Sequence, residues 1–468
     1  MRYCFSLTQD DVEQIADLSA KDFVGFEIRL DSFAEPPDFH VLRSKTEKPL
    51  LATWRSRPHL GKASTQSREE EGWAYRKAAL ASGFDLIDLE LDEDRLQDKI
   101  AFIQEAGGRV VLSHHELSDN AGIERALSSA LETKADVIKI IGNGKQVSDF
   151  ARQRSFYQMA RGRELVHFYM GAEYAATRVL SLVYGGSFTF LTPHAGKAVA
   201  PGQLTHEAMA EIYRPLEVVN PKFFAVIGNP VGHSKSPAYH NPKLKQITPD
   251  SLFLALPARD AQDLHMLCQT FPELVGLAVT KPMKEVAFRA ATDFADPHSA
   301  DLGAVNTLLF KPTETWAANT DLLAMIDMLK ESGPNVRVRV LGYGGLGKAV
   351  VRACVPLDLA VQVCNRTPGK VGDPGGRVEE LEWEARHEPG ADVLIQATSV
   401  GMAPNVELSP LDRIPQGVTR LLETIYSPLE TRLMRMAREQ GLAVVDGLAF
   451  FDAQAKIQNR FFCKAVSP

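Results

Sequence analysis

Apolar runs long enough to cross a bilayer are missing from this 468-residue chain, in which none approaches the roughly 18 residues a spanning helix requires. An excess of positive charge is missing too. With a net charge of -7 the sequence has no basic footprint for nucleic acid, and any anionic ligand must be caught by local cations against a mildly repulsive background. Cysteine is scarce: Cys4, Cys268, Cys354, Cys364 and Cys463 stand at spacings that suit neither a metal site nor a redox motif. Their odd number in a long chain is no disulfide framework. The strand-like opening Arg2–Leu7 lacks the basic, apolar and small-residue order of a signal peptide. These absences set the expectation of a cytoplasmic protein acting on small molecules, with no nucleic-acid or membrane partner and no metal. What is present, 45% hydrophobic and 24% charged residues, is ordinary globular composition, and a length prior of about 150 residues per domain gives two or three domains.

Through the first 200 residues short β-rich runs alternate with longer amphipathic stretches, the pattern of βα repeats in an α/β fold. Strands are expected near 2–7, 24–30, 49–54, 85–91, 109–114, 136–141, 164–170 and 188–191, and eight of them predict a closed (β/α)8 TIM barrel. Val12, Ile15, Ala16 and Ser19 share one helical face, with Thr8 as N-cap and Asp10 and Asp11 in the first turn, so the first barrel helix is expected there. Glu27, Arg29, Arg55, His115 and Lys139 all fall at or near the C-terminal ends of predicted strands. That rim of a barrel gathers side chains from different strands at one mouth. Taken singly each has a plainer explanation: His115 beside His114 reads equally as a capping or surface histidine, and Lys139 as a lysine snorkelling from a strand end.

Read in order, Glu27-Ile28-Arg29-Leu30-Asp31, Thr53-Trp54-Arg55, Ser113-His114-His115, Asp136-Val137-Ile138-Lys139, Met170-Gly171 with Thr177-Arg178, and Ala200-Pro201-Gly202-Gln203 resemble type I 3-dehydroquinate dehydratase over about 210 residues. The resemblance implies that Lys139 forms a Schiff base with the substrate ketone, with the neutral amine favoured by burial and by Arg29, Arg55 and Arg178 nearby. It further implies His115 as general base and acid, Glu27 as the group orienting it, Arg178 as the clamp on the substrate carboxylate, and Gln203 closing from the last loop. Two departures stand out. Val199 occupies a position where serine is usual, and the loop Ser56–Lys62, which includes His59, replaces an acidic-glycine segment.

A proline-bracketed connector, Arg214–Pro221, separates this region, expected as domain 1–214, from a second half that opens with the strand-like Phe223–Ile227. Gly342-Tyr343-Gly344-Gly345-Leu346-Gly347 follows an apolar strand and precedes a helical run. That is the context in which a Gly-x-Gly-x-x-Gly turn lets backbone approach a pyrophosphate at a helix N-terminus. The next strand ends in Asn365-Arg366-Thr367 instead of the acidic residue that binds a free ribose 2′-hydroxyl. Arg366 can pair with a 2′-phosphate, with Lys370 in support, so NADP(H) is the expected cofactor. Thr398 and Ser399, after a later strand, read either as cofactor contacts or as turn formers.

This half resembles shikimate dehydrogenase across 222–468. The motifs are Ile227–Pro237, Val279–Glu285, Gly303-Ala304-Val305-Asn306-Thr307, Asn319-Thr320-Asp321 and Gln454. The resemblance implies Ser234 and Ser236 on the substrate carboxylate, Lys284 and Asp321 as the catalytic pair, and Thr280, Asn306 and Gln454 on the ring hydroxyls. It adds Tyr426 on the substrate and Gly447 beside the cofactor. Lys281 is expected to face solvent, and Leu322-Leu323-Ala324 and Glu423 depart from the family pattern. Domains are expected at 222–322 for substrate and 323–448 for a Rossmann nucleotide fold, with helix 449–468 returning to the first. The two resemblances name consecutive reactions, because the product of the first is the substrate of the second. A metabolite-sensing regulator built on these folds would have no need to retain Lys139, His115, Lys284 and Asp321 together.

Overall fold

The computed structural model describes residues 1–56, 67–194, 196, 198–333 and 335–466, so Arg57–Lys62 of the departing loop, with His59, lies outside the described residues. The chain divides into two compact units. The first is Met1–Ala225 with Pro230–Lys245 and Pro249–Glu273. The second is Val226–Asn229, Gln246–Thr248 and Leu274–Pro468.

In the first unit the expected eight strands are all found: β1 (Tyr3–Leu7), β2 (Val24–Arg29), β3 (Leu50–Thr53), β4 (Leu86–Glu90), β5 (Arg109–His115), β6 (Val137–Asn143), β7 (Glu164–Met170) and β8 (Thr189–Thr192). With the short β9 (Leu204–Thr205) they form one sheet in the order β7-β6-β5-β4-β3-β2-β1-β8-β9. Its ladders are parallel, as crossover helices demand. At the seam of this curled sheet the Ser187 N–H donates to the Leu165 carbonyl at 2.9 Å. The two-residue period of the strands layers the interior. Leu51, Leu86, Val111, Val137 and Val166 pack together in an apolar floor. Two residues further along the same strands stand Thr53, Asp88, Ser113, Lys139 and Phe168.

One local expectation fails. The stretch after β1 is a 3₁₀ turn, Val12–Gln14, followed by a single α turn, Ile15–Leu18. Thr8 does not cap a long helix, because its hydroxyl donates to Asp11 Oδ2 at 2.7 Å while the Asp11 N–H returns to the Thr8 carbonyl, closing a turn of their own. The unit also holds the start of β10 (Lys222–Gly228), β11 (Ser251–Pro257) and the helix Ser236–Lys245. Asn241 of that helix exchanges two 2.8 Å hydrogen bonds with the Phe253 backbone of β11.

In the second unit, β12 (Leu274–Val279) runs antiparallel to β14 (Thr307–Phe310), which runs antiparallel to β15 (Thr315–Ala318), and β13 (Asp293–Phe294) is parallel to β15. A parallel sheet follows, built from β16 (Arg337–Leu341), β17 (Ala360–Cys364), β18 (Val378–Leu381), β19 (Val393–Gln396), β20 (Arg420–Glu423) and β21 (Ala443–Val445). Its order, β18-β17-β16-β19-β20-β21, is the doubly wound 3-2-1-4-5-6 arrangement, with the switch point between β16 and β19. The helix Gly447–Val466 returns to β14, where Gln458 Nε2 donates to the Asn306 carbonyl and the Thr307 hydroxyl, both at 2.9 Å.

Candidate active sites

Glu27, Arg29, Arg55, His115, Lys139, Arg178 and Gln203 come from three strands, one helix and two loops, and all line one pocket at the barrel mouth together with Val199. Lys139 is buried. Its Nζ lies 3.3 Å from Asp88 Oδ2 and 3.4 Å from Glu27 Oε1, and 4.2 Å above the centre of the Phe190 ring. The expectation that arginines surround and repel this lysine is corrected by the geometry. Arg29 is paired with Asp31 through two 2.9 Å bonds. Arg55 donates to Asp88 at 2.8 Å, to Glu90 at 3.1 Å and to the Ser113 hydroxyl at 2.7 Å. Carboxylates, not arginines, are the charges next to Lys139. Burial works against ionisation of Asp88 and Glu27, but Arg55 and Lys139 outweigh it at Asp88, and Lys139 and Arg29 at Glu27, holding both carboxyls below their usual range. Burial likewise opposes the charge of Arg55, and Asp88 and Glu90 override it and raise its pKa.

Glu27 also accepts from the Thr53 hydroxyl at 3.0 Å, so its anchoring contacts are with Thr53 and Lys139. Asp88 and Glu90 were not singled out from the sequence. The signal was there, because Leu86-Ile87-Asp88-Leu89-Glu90 alternates, and its acids fall in phase with Ser113 and Lys139 on the neighbouring strands.

Arg178 differs from the other arginines. It is 1% exposed, its guanidinium sits 4.0 Å over the Phe168 ring, and its one described hydrogen bond runs to the Pro201 carbonyl at 3.3 Å. Among the described residues it has no carboxylate partner, and burial alone pushes its pKa down to about 9. Gln203 holds the closing loop by accepting from the Val199 N–H at 2.9 Å, and its amide reaches the Ser6 hydroxyl at 3.4 Å.

The second unit has its own cleft of about 600 Å³, lined by Thr280, Lys284, the Gly342–Leu346 turn, Asn365–Thr367, Thr398 and Ser399. Lys284 opens a helix and donates to Asp321 Oδ2 at 2.6 Å. A Cβ on Gly345 would lie 3.5 Å from the Lys284 side chain, so the turn and the lysine border the same space. Gly342 has φ +94°, and a Cβ on Gly347 would stand 2.2 Å from the Gly342 carbonyl. The turn can therefore close only with glycine at both positions, and it leaves the N-terminus of helix Gly345–Cys354 open to an anion.

Arg366 is exposed at the end of β17 and has no ion-pair partner among the described residues. Asn365 braces this corner by donating to the Thr367 carbonyl at 2.8 Å. The Thr398 hydroxyl is spent on its own turn, donating to Gln396 at 3.0 Å and accepting from the Val400 N–H, whereas Ser399 is exposed.

Asn306 is buried, and its Oδ1 accepts from the Thr320 N–H at 2.7 Å and from the Thr320 and Thr307 hydroxyls at 3.1 Å. The Thr320 hydroxyl also lies 3.1 Å from Gln454 Oε1. Thr320, named from the sequence only as part of the Asn319-Thr320-Asp321 motif and given no role there, thus links two of the expected ring-binding residues. Tyr426 is half-buried against Phe451, and Gly447 approaches so closely that a Cβ would strike the Ile425 carbonyl at 2.0 Å. Lys281 is exposed, as expected. Ser234 and Ser236 lie in the first unit, where the Ser236 N–H donates to the Ser234 hydroxyl at 3.2 Å.

Residues 3–219 match the family model described as type I 3-dehydroquinase, and residues 226–308 match the shikimate dehydrogenase substrate binding domain. A shikimate dehydrogenase (NADP(+)) of Acidiphilium cryptum is 36% identical over 242 residues, covering 49% of this chain and 86% of that protein. The chain belongs to the shikimate dehydrogenase family through its second half, and the match to type I 3-dehydroquinase precedes it.

The order is that of a relative from Arabidopsis thaliana, named bifunctional 3-dehydroquinate dehydratase/shikimate dehydrogenase, chloroplastic. It is 29% identical, with 94% of this chain and 78% of the relative covered. The shikimate 5-dehydrogenase of Thermus thermophilus, solved in complex with NADP(H) and shikimate, aligns with 30% identity and a TM-score of 0.46. That alignment covers 52% of this chain and 96% of the other. By the matched residues, the barrel pocket with Lys139 belongs to the dehydroquinase half, and the cleft between the glycine turn and Lys284 to the dehydrogenase half.

Proposed function

We propose that this chain converts 3-dehydroquinate to 3-dehydroshikimate at the barrel mouth and reduces that product to shikimate, with NADPH, in the dehydrogenase half. The observation that carries the first step is Lys139 buried between Glu27 and Asp88 in the same pocket as Arg178, which has no carboxylate partner among the described residues. Arg178 takes the substrate carboxylate in a charge-assisted pair, which supplies the partner it lacks. Lys139 gives up a proton through the flanking carboxylates and attacks the ketone as the neutral amine, and the carbinolamine hydroxyl takes that proton back and leaves as water, so the iminium forms with both carboxylates again charged. The iminium draws electrons from the adjacent carbon, so His115 can remove its proton and return one to the departing hydroxyl. Asp88 and Glu27 then serve as counter-ions to the iminium nitrogen.

In the dehydrogenase half the pyrophosphate of NADP(H) would rest on the N-terminus of helix Gly345–Cys354, with Asn365, Arg366 and Thr367 at the 2′-phosphate and Thr398, Ser399 and Gly447 along the cleft. When bound, NADPH supplies the hydride. Lys284, oriented by Asp321, donates the proton that the developing alkoxide requires. Asn306, Thr280, Gln454 and Tyr426 hold the ring, and Ser234 and Ser236 hold the carboxylate. The domains follow this division, with the dehydratase in 1–214, substrate binding in 222–322, NADP(H) binding in 323–448 and the last helix in 449–468. Five free cysteines support a reducing compartment, the cytoplasm, and among the described residues no helix is long and apolar enough to cross a membrane.

Borohydride added with 3-dehydroquinate should leave a stable adduct on the peptide carrying Lys139, and Lys139→Ala should lose both adduct and dehydration. An adduct elsewhere, or full activity in the variant, would remove the Schiff-base reading.

A further inference from the structure

Glu173 sits in the 3₁₀ turn Ala172–Tyr174 that follows β7, and it is not among the residues lining the barrel pocket. Its Oε2 accepts the Val231 N–H at 2.6 Å and the Gly232 N–H at 3.0 Å. Those two amides open the turn that carries Ser234 and Ser236. The Ser234 N–H folds back to the Val231 carbonyl at 3.0 Å, and the Ser234 hydroxyl in turn accepts from the Ser236 N–H. One carboxylate oxygen from the dehydroquinase half therefore grips the corner of the dehydrogenase serine turn.

Both sides of this contact are held in place. The Tyr174 N–H donates to the Gly171 carbonyl at 3.0 Å, and the Tyr174 ring stacks on Phe150 at 5.6 Å. A Cβ on Gly144 would stand 2.1 Å from the Tyr174 ring, so the turn is packed to contact from beneath. On the other side, a Cβ on Gly232 would come within 2.6 Å of the Ala172 carbonyl, backbone against backbone. Arg154 adds a two-pronged pair with Glu273, at 3.0 and 2.5 Å, within the same unit. A serine turn outside such a grip would hand its two N–H groups to water and sample several conformers. A carboxylate shared by two amides is a charge-assisted acceptor that selects one.

We propose that Glu173, though part of the dehydroquinase half, is a positioning residue for the dehydrogenase reaction, fixing the turn from which Ser234 and Ser236 bind the substrate carboxylate. This rests on the assignment of those serines under the proposed function. The fusion then supplies a structural part to its second enzyme as well as a tether.

The test uses the full chain and four readouts: KM for 3-dehydroshikimate, KM for NADPH, dehydrogenase kcat, and dehydratase kcat/KM. Glu173→Ala should raise the KM for 3-dehydroshikimate roughly five- to tenfold. The KM for NADPH, the dehydrogenase kcat and the dehydratase kcat/KM should stay within about twofold of wild type. Glu173→Gln, whose amide oxygen still accepts both N–H groups without the charge, should recover part of the loss. Gly232→Ala, whose Cβ would press on the Ala172 carbonyl at 2.6 Å and on Glu173 Oε1 at 3.0 Å and so force the corner away, should reproduce the selective rise in KM. An unchanged KM for 3-dehydroshikimate in Glu173→Ala overturns the proposal. So does an equal loss in all four readouts, which would mark a general structural role. A wild-type chain that fails to reduce 3-dehydroshikimate overturns the underlying assignment and this proposal with it, and that outcome is distinguishable because it appears before any substitution.

Discussion

Arg178 and Glu423 show how a single buried group can be kept at a cost to stability. Arg178 is enclosed with an aromatic face and one carbonyl but no anion among the described residues, and a cation whose pKa is lowered by burial destabilises the folded state at every pH where it stays charged. Arg178→Met is therefore expected to stabilise the ligand-free chain, by roughly 1–4 kcal/mol, the range seen when buried charges give way to apolar residues. The same change should lower dehydratase kcat/KM by about 100-fold or more, as expected for loss of a charged hydrogen-bonding partner. A denaturant melt beside a dehydration assay checks both signs, and a less stable variant would show that the guanidinium has a partner in solution.

Glu423 is completely buried. Burial pushes its pKa up to about 7, against the pull of the Ile425 and Thr424 N–H groups and the Thr431 hydroxyl. Its folded pKa lies above the unfolded value, so for this acid the folded state binds the extra proton. The stability it contributes is present in full below about pH 4.5 and is lost as pH rises through about 7. Glu423→Gln should flatten that fall between pH 5 and 8, by an amount on the order of 2 kcal/mol. Equal pH slopes for variant and wild type in unfolding titrations would refute it.

At the scale of elements, the strands and the glycine turn do the positioning. Strand period two lifts an apolar layer of Leu86, Val111 and Val137 into a chemical layer of Asp88, Ser113 and Lys139, which is why Lys139 meets two carboxylates that lie far from it in sequence. In the nucleotide fold the switch point between β16 and β19 opens the cleft, and β17 delivers Arg366 to its rim. Replacing Arg366 with Ala should reduce the preference for NADP over NAD by about 1–3 kcal/mol, or some five- to 150-fold in the ratio of kcat/KM values. Undiminished preference would move the 2′-phosphate contact elsewhere, with Lys370 the first alternative to substitute.

For the whole molecule, linking two consecutive enzymes fixes their ratio, but a tether raises effective concentration only for groups that stay attached. Free 3-dehydroshikimate does not stay attached, and it diffuses away far faster than turnover at roughly 10 per second could capture it. Labelled 3-dehydroquinate run with NADPH in excess unlabelled 3-dehydroshikimate should therefore give shikimate with diluted label, and undiluted label would demonstrate direct transfer. The pairing of Lys284 with Asp321 was implied by the family resemblance, whereas eight barrel strands, the glycine turn, the strand-end place of Lys139 and the cation in place of an acid at Arg366 were legible from the residues alone. Periodicity, turn chemistry and motif order are local, and these features depend on nothing more. The electrostatics of the Lys139 pocket were not legible, because Asp88, Glu90, Glu27 and Arg55 are brought together by the closing of a sheet, and pairing at about 3 Å reverses the sign that mere abundance of arginine suggests. Nor was the Thr8–Asp11 turn, where a side-chain pair overrides helix periodicity, or the grip of Glu173 on Val231 and Gly232, 58 and 59 residues away. Contacts at that separation depend on packing in three dimensions, which no periodicity along the chain encodes.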